Sequence, residues 1–271
     1  MFRKILLTIT ALLSLTTLPA VAAQGAQILL RDGLLWADVQ SGGATLHFVV
    51  DTGAGCSCVN LAAAKSMGLK LGQPVSVAGV GGRAVGYRCA GFSGTVGGMQ
   101  LPGTILSLDL SGPARACSRP IDGLIGADFF RGNVVRIDYA RGLLTRVGGS
   151  SGDAGIRLRF ANGVLCVPVA VNGSRPRWTR LDTGCTDALI WCDRAGGLGQ
   201  RSRPSVALSA SALAASAAHV AVGGMEPRTL PVRWADREIF PGEAGLLGNA
   251  ALSRYKAITI DATAGRLAIS M

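Results

Sequence analysis

Asp51-Thr52-Gly53 closes the stretch Leu46–Val50, and Asp182-Thr183-Gly184 closes Arg177–Leu181. Each tripeptide joins a carboxylate on a short stalk to a hydroxyl that can hydrogen-bond across a tight loop. Its glycine lets the backbone turn sharply and brings an N–H toward the carboxylate. Two carboxylates within hydrogen-bond reach cannot both ionise, so they share a proton and titrate as a coupled pair. The ionised member of such a pair can deprotonate a water while the protonated member polarises an amide carbonyl, which is general acid–base hydrolysis without a covalent intermediate. A lone Asp-Thr-Gly is an ordinary turn with an Asx-type hydrogen bond. Two at equivalent places make a chemical reading the stronger one.

The places are equivalent because the chain is written twice. Gly33–Gly53 aligns with Gly163–Gly184, each reading as strand, polar turn, strand and tripeptide. Thr95–Leu108 aligns with Ala221–Trp234, and Gly123–Val147 with Gly245–Ile269. The spacing drifts from 131 residues at the aspartates to 122 at Gly123 and Gly245, so the second copy is slightly shorter. Several motifs repeated in one order indicate a duplicated domain rather than a solenoid. The seam is the small-residue linker Gly148–Gly155.

Alternation and β-branched residues predict strands at 46–50, 56–60, 104–110, 134–139, 177–181, 187–191 and 257–262, with one short helix over Leu61–Leu69. Short β-rich runs, 38 glycines and few charges make the chain all-β. The opening MFRKILLTITALLSLTTLPAVAAQ has a basic head, an apolar run and small residues at Ala20-Val21-Ala22, the layout of a signal peptide over residues 1–23. The expectation is an exported protein, periplasmic or secreted. Residues 24–147 and 156–271 would be its two lobes, joined by the linker 148–155, with no membrane span after cleavage.

Without Arg3 and Lys4, 25 basic residues face 16 acids for a net charge of +9. The arginines are scattered and aromatic residues are few, which argues against nucleic-acid binding. Seven cysteines in an exported chain predict some disulfides, with Cys89–Cys117 and Cys185–Cys192 as candidate pairs. Cys56 and Cys58 fall on a predicted strand and so point to opposite faces. His47 and His219 do not have the spacing of a zinc site, and no metal or cofactor is implied.

Asp51-Thr52-Gly53-Ala54, Asp182-Thr183-Gly184 and the segments Leu124-Ile125-Gly126 and Leu246-Leu247-Gly248 resemble the aspartic peptidases, retroviral and pepsin-like together. The resemblance spans nearly all of the mature chain. It implies two pseudo-symmetric retropepsin-like β-barrel lobes with a cleft between them, and Asp51 and Asp182 as the catalytic pair. Thr52, Gly53, Thr183 and Gly184 would support the catalytic loops, with the two apolar-apolar-Gly segments crossing behind them. Val77–Tyr87 looks like the glycine-rich flap of the retroviral enzymes, with Gly79, Val80, Gly81 and Gly82 at the substrate. The duplicated chain would do as a monomer what those enzymes do as homodimers, and the partner implied is a peptide or protein substrate.

Two departures stand out. Ala54 fits the retroviral pattern but Cys185 fits neither branch, and Ser205–Ala217, where a second flap would lie, lacks glycines. Two rival readings go with the first: a peptide-binding module on the same fold without hydrolysis, and a thiol-dependent enzyme, which has no evident histidine partner.

Overall fold

A computed structural model describes residues 25–79, 82–148, 155–192, 215–235 and 238–271. Val80, Gly81, the signal segment, most of the linker and residues 205–214 of the second flap region lie outside the described residues. The described chain is mostly strand, with short helical turns at Leu61–Ser66, Ser111–Ala114, Ala127–Phe130 and Asn249–Leu252. Among the described residues, no helix is long and apolar enough to cross a membrane.

The duplication read from the sequence is present in the strand order. In the first copy the sheet runs Leu34–Ser41, Ala44–Val50, Gly123–Ile125, Cys58–Asn60, Thr104–Leu108 and Gly82–Ala90. In the second it runs Val164–Val171, Arg177–Leu181, Gly245–Leu247, Leu189–Cys192, Arg228–Ala235 and Ala215–Val222. The second sheet also closes on itself, Val169 pairing with Val222. Closure covers the edge of Ala215–Val222, which would otherwise expose unpaired backbone groups.

The copies are joined by a ladder that no local pattern announces. Val134–Asp138 pairs antiparallel with its counterpart Ala257–Asp261, with Arg136 opposite Thr259. Asp138 accepts the N–H of Arg141, and Asp261 accepts that of Ala264, so the two turns after these strands are built alike. Leu143–Arg146 and Gly25–Arg31 extend this sheet on one side, and Arg266–Ser270 and Ile156–Arg157 on the other. The core runs across both copies, from Phe48, Val50 and Ile125 to Leu181, Leu189 and Leu247. Six adjoining strands and a shared core join the two copies that carry the Asp-Thr-Gly loops.

Predicted strands 56–60 and 187–191 begin late, at Cys58 and Leu189. Cys56 and Ser57 belong instead to the loop after the tripeptide, held there by a carboxylate described below. Neither candidate disulfide forms, because Cys89, Cys117 and Cys185 are thiols. Cys89 lies in the main core, whereas Cys117 packs beside a separate cluster around Leu34 and Trp36. Cys185 packs with Ile190, Ala235 and Leu246.

Candidate active site

Each aspartate arrives at the end of a strand buried on both sides. Ala44–Val50 runs parallel to Gly123–Ile125, and Arg177–Leu181 runs parallel to Gly245–Leu247. The strand that crosses behind then receives the aspartate's own N–H: Asp51 donates to Ile125 O and Asp182 to Leu247 O, both at 2.9 Å. The next turn is matched too, with Ala127 N donating to Ala54 O and Asn249 N to Cys185 O, both at 2.8 Å.

The threonines cross between the copies. Thr52 Oγ1 donates to Leu181 O and Thr183 Oγ1 to Val50 O, each at 2.7 Å. In return Thr52 N donates to Thr183 Oγ1 and Thr183 N to Thr52 Oγ1, each at 3.0 Å. Four hydrogen bonds between fully buried groups therefore clamp one loop to the other.

The glycines serve a different purpose from the sharp turn expected of them. Neither has a left-handed φ. A methyl group on Gly53 would overlap the Asp182 carboxylate, and one on Gly184 would overlap that of Asp51. Glycine is needed so that each loop can approach the opposite carboxylate, while its N–H bonds its own copy's aspartate. Gly53 N reaches Asp51 Oδ1 and Gly184 N reaches Asp182 Oδ1, both at 3.0 Å.

The two carboxyls face each other, that of Asp182 against Gly53 and that of Asp51 against Gly184, close enough to interact directly. Both are raised above the ordinary aspartate range, chiefly by burial; Asp182 is raised further by the negative charge of Asp51. The loops are not equal in donors. Asp51 Oδ1 accepts from Ala54 N at 3.0 Å as well as from Gly53 N. That second donor favours the anion on Asp51.

A cleft of about 340 Å³ opens above the pair. The hairpin Leu71–Gly79 and Gly82–Ala90 covers it, with Gly79 opposite Gly82, and Val77, Arg83 and Ala84 join both glycines in its lining. Cys56, Cys58 and Cys185 also reach the cleft. Burial pushes the Cys56 thiol up to about 11 and raises the other two as well. Thiols held protonated are poor nucleophiles, and no histidine lines the cleft. The thiol-enzyme reading finds no support in this arrangement.

Two sets of residues around the site went unnoticed in the sequence. In the first copy, Asp128 accepts Ser57 N at 2.8 Å and Ser57 Oγ at 2.7 Å, and Ser57 Oγ accepts Gly126 N at 3.0 Å. This carboxylate pins Cys56 and Ser57 into the loop. Asp128→Ala leaves Ser57 N–H unsatisfied in a buried place. It is expected to cost about 3 kcal/mol in urea denaturation, against about 1 kcal/mol for Asp128→Asn, which keeps an acceptor oxygen. In the second copy, Arg180 lies beside the pair, bound to Glu243 and to Gly53 O. Its signal was available, because Arg180 is two residues before Asp182 on a strand and so shares its face.

The search of curated proteins finds no significant match. Residues 37–129, which hold Asp51-Thr52-Gly53, the hairpin and Leu124-Ile125-Gly126, match the family model described as aspartyl protease. The first copy is therefore similar to aspartyl proteases over residues 37–129, not in its tripeptide alone, and the match supports a protease-type function acting on peptide substrate.

Proposed function

We propose that this chain is an exported aspartic endopeptidase working as a monomer, with lobes at 24–147 and 156–271 and a cleft between them. The observation that carries the reading is the facing carboxyl pair, Asp51 against Gly184 and Asp182 against Gly53, both lining that cleft. In this mechanism Asp51 takes a proton from a water molecule held between the carboxyls. The resulting hydroxide attacks the scissile carbonyl carbon, and Asp182 gives its proton to the carbonyl oxygen. The tetrahedral diol then collapses: the C–N bond breaks, the leaving nitrogen takes the proton from Asp51, and a diol hydroxyl returns one to Asp182. Burial suits this chemistry, since it keeps one proton on the pair and strengthens every dipole aimed at the reacting atoms. Closure of the hairpin would exclude bulk water, with Gly79 and Gly82 near the substrate backbone.

The test is cleavage-site profiling of an unfolded protein incubated with the mature chain in ¹⁸O-water. Internal peptide bonds are expected to break from acid to neutral pH. Each new C-terminus should carry one ¹⁸O from a single hydrolytic event, and intact-mass spectra should show no acyl adduct on the enzyme. Binding of the unfolded protein without any new termini would instead identify a peptide-binding module. An acyl adduct on a cysteine would replace the mechanism with a thiol one.

A further inference from the structure

The duplication exposes one asymmetry beside the aspartates. Arg180 corresponds to Val49 in the first copy, and Glu243 corresponds to Ile121. The alignment is fixed by matching hydrogen bonds: Asp122 N donates to His47 O and Ala244 N donates to Trp178 O. Val49 and Ile121 sit together in one apolar cluster. At the same place the second copy carries a buried ion pair, Nε of Arg180 to Glu243 Oε2 at 2.7 Å and Nη2 to Oε1 at 2.8 Å. Arg180 is 8% exposed and Glu243 2%.

A buried ion pair is no more stabilising than well-packed aliphatic side chains of similar volume, and often less so. The first copy shows that this position accepts such packing. Stability therefore does not account for the pair, and its other contacts point to the active site. Arg180 Nη1 donates to Gly53 O at 2.8 Å, across the boundary between the copies. The face of its guanidinium lies 3.5 Å from the centre of the Phe240 ring, and both residues line the cleft with the aspartates.

We propose that Arg180 is a positioning residue: oriented by Glu243 and Phe240, it ties the first Asp-Thr-Gly loop to the second copy and holds a fixed positive charge that keeps one of the two paired aspartates ionised. This rests on the reading of Asp51 and Asp182 as a proton-sharing pair. The titratable and charged groups around the guanidinium are Asp51 and Asp182 from the two loops, Glu243 from the segment before Gly245, and Cys166 from the adjacent strand, with Arg159 next to Cys166. Burial pushes the Cys166 thiol up to about 11, so it stays neutral where the aspartates titrate. The arginine opposes the upward push of burial on both Asp51 and Asp182.

The experiment follows the aspartate side-chain carboxyl carbons by NMR in full-length ¹³C-labelled protein as pH is varied. Arg180→Val combined with Glu243→Ile transplants the first copy's packing and removes the guanidinium that acts on the aspartates together with its counter-charge. It is expected to move the titration of the pair up by about one pH unit. Glu243→Gln leaves the arginine un-neutralised and should move it down, while Arg180→Lys keeps the charge and should stay near wild type. A purely structural role predicts no such opposition of sign, and unchanged midpoints in both charge variants overturn the proposal. If the double variant does not fold, Glu243→Gln decides alone: a midpoint that stays or rises overturns it. The titration needs no substrate. If the variants shift as expected but the wild type cleaves nothing, the peptidase reading is refuted and the positioning role stands.

Discussion

Asp182→Asn is expected to abolish peptide hydrolysis and, at neutral pH, to make the protein more stable. Loss of the shared proton removes acid–base catalysis, worth about 10²–10⁴-fold in rate. Stability moves the other way because both carboxyls titrate above the ordinary aspartate range in the folded chain. An unfolded aspartate loses its proton near about pH 3.9. Above that value the folded pair binds more protons than the unfolded chain does, so stability falls as pH rises until the folded pair has titrated. Asparagine has no proton to lose and escapes the penalty. It also keeps an oxygen for Gly184 N–H, and its amide N–H can donate to Asp51 where the carboxyl did.

The gain is about 1–3 kcal/mol at neutral pH, since one pH unit of displacement corresponds to about 1.4 kcal/mol. For a chain of this size that is an increase of roughly 2–10 °C in Tm. Below about pH 3.9 the gain should vanish. Asp51→Asn should behave alike in activity but gain less, because Asp51 is the member whose anion has two backbone donors. Thermal melts at acid and neutral pH, run beside a peptide-cleavage assay, check both halves. Residual cleavage in both variants would remove the pair from the mechanism. A stability gain independent of pH would show that the carboxyls do not share a proton.

What the sequence made legible follows from the range of each interaction. Strand ends at Val50 and Leu181, the order of elements in each copy and the crossing segments at Leu124 and Leu246 are written in local pattern, and the repeat doubled the signal. The reason for the glycines was not local. Gly53 is constrained by Asp182, 129 residues away, rather than by its own φ. The pairing of Arg136 with Thr259 likewise depends on two copies meeting, which no window of either copy contains. Asp128 and Ser57 were overlooked because their 71-residue separation hides a hydrogen bond that displaces the start of a strand. The cysteine count pointed to disulfides on grounds of compartment alone, whereas Cys89 is buried in the main core and half-buried Cys117 packs against a different cluster.

Thr52→Val and Thr183→Val probe the clamp that holds the aspartates in register. Each hydroxyl donates to a carbonyl of the other copy and accepts an N–H from the opposite threonine. Either replacement fills nearly the same space but strands a buried C=O and a buried N–H, at about 1–3 kcal/mol for each unsatisfied group. The expected loss is therefore roughly 2–5 kcal/mol per single variant. The four bonds lie within one contact, so the first substitution lets the loops part and weakens the bonds that remain. The double variant should fall short of the sum by about 1 kcal/mol or more.

Activity should be affected more sharply than stability. Neither threonine lines the cleft, yet they set the separation of two carboxyls whose interaction is short-ranged. A displacement of about 1 Å costs on the order of 10²-fold in rate, and the loss should fall in kcat rather than in KM. Thr→Ser at either position keeps the hydroxyl and should restore most of kcat, which separates loss of the hydrogen bonds from loss of packing. Strict additivity in denaturation, with kcat unchanged in both valine variants, would mean that the inter-copy sheet through Arg136 and Thr259 alone holds the loops together. A coupled loss would place the register of the aspartates in the threonines themselves.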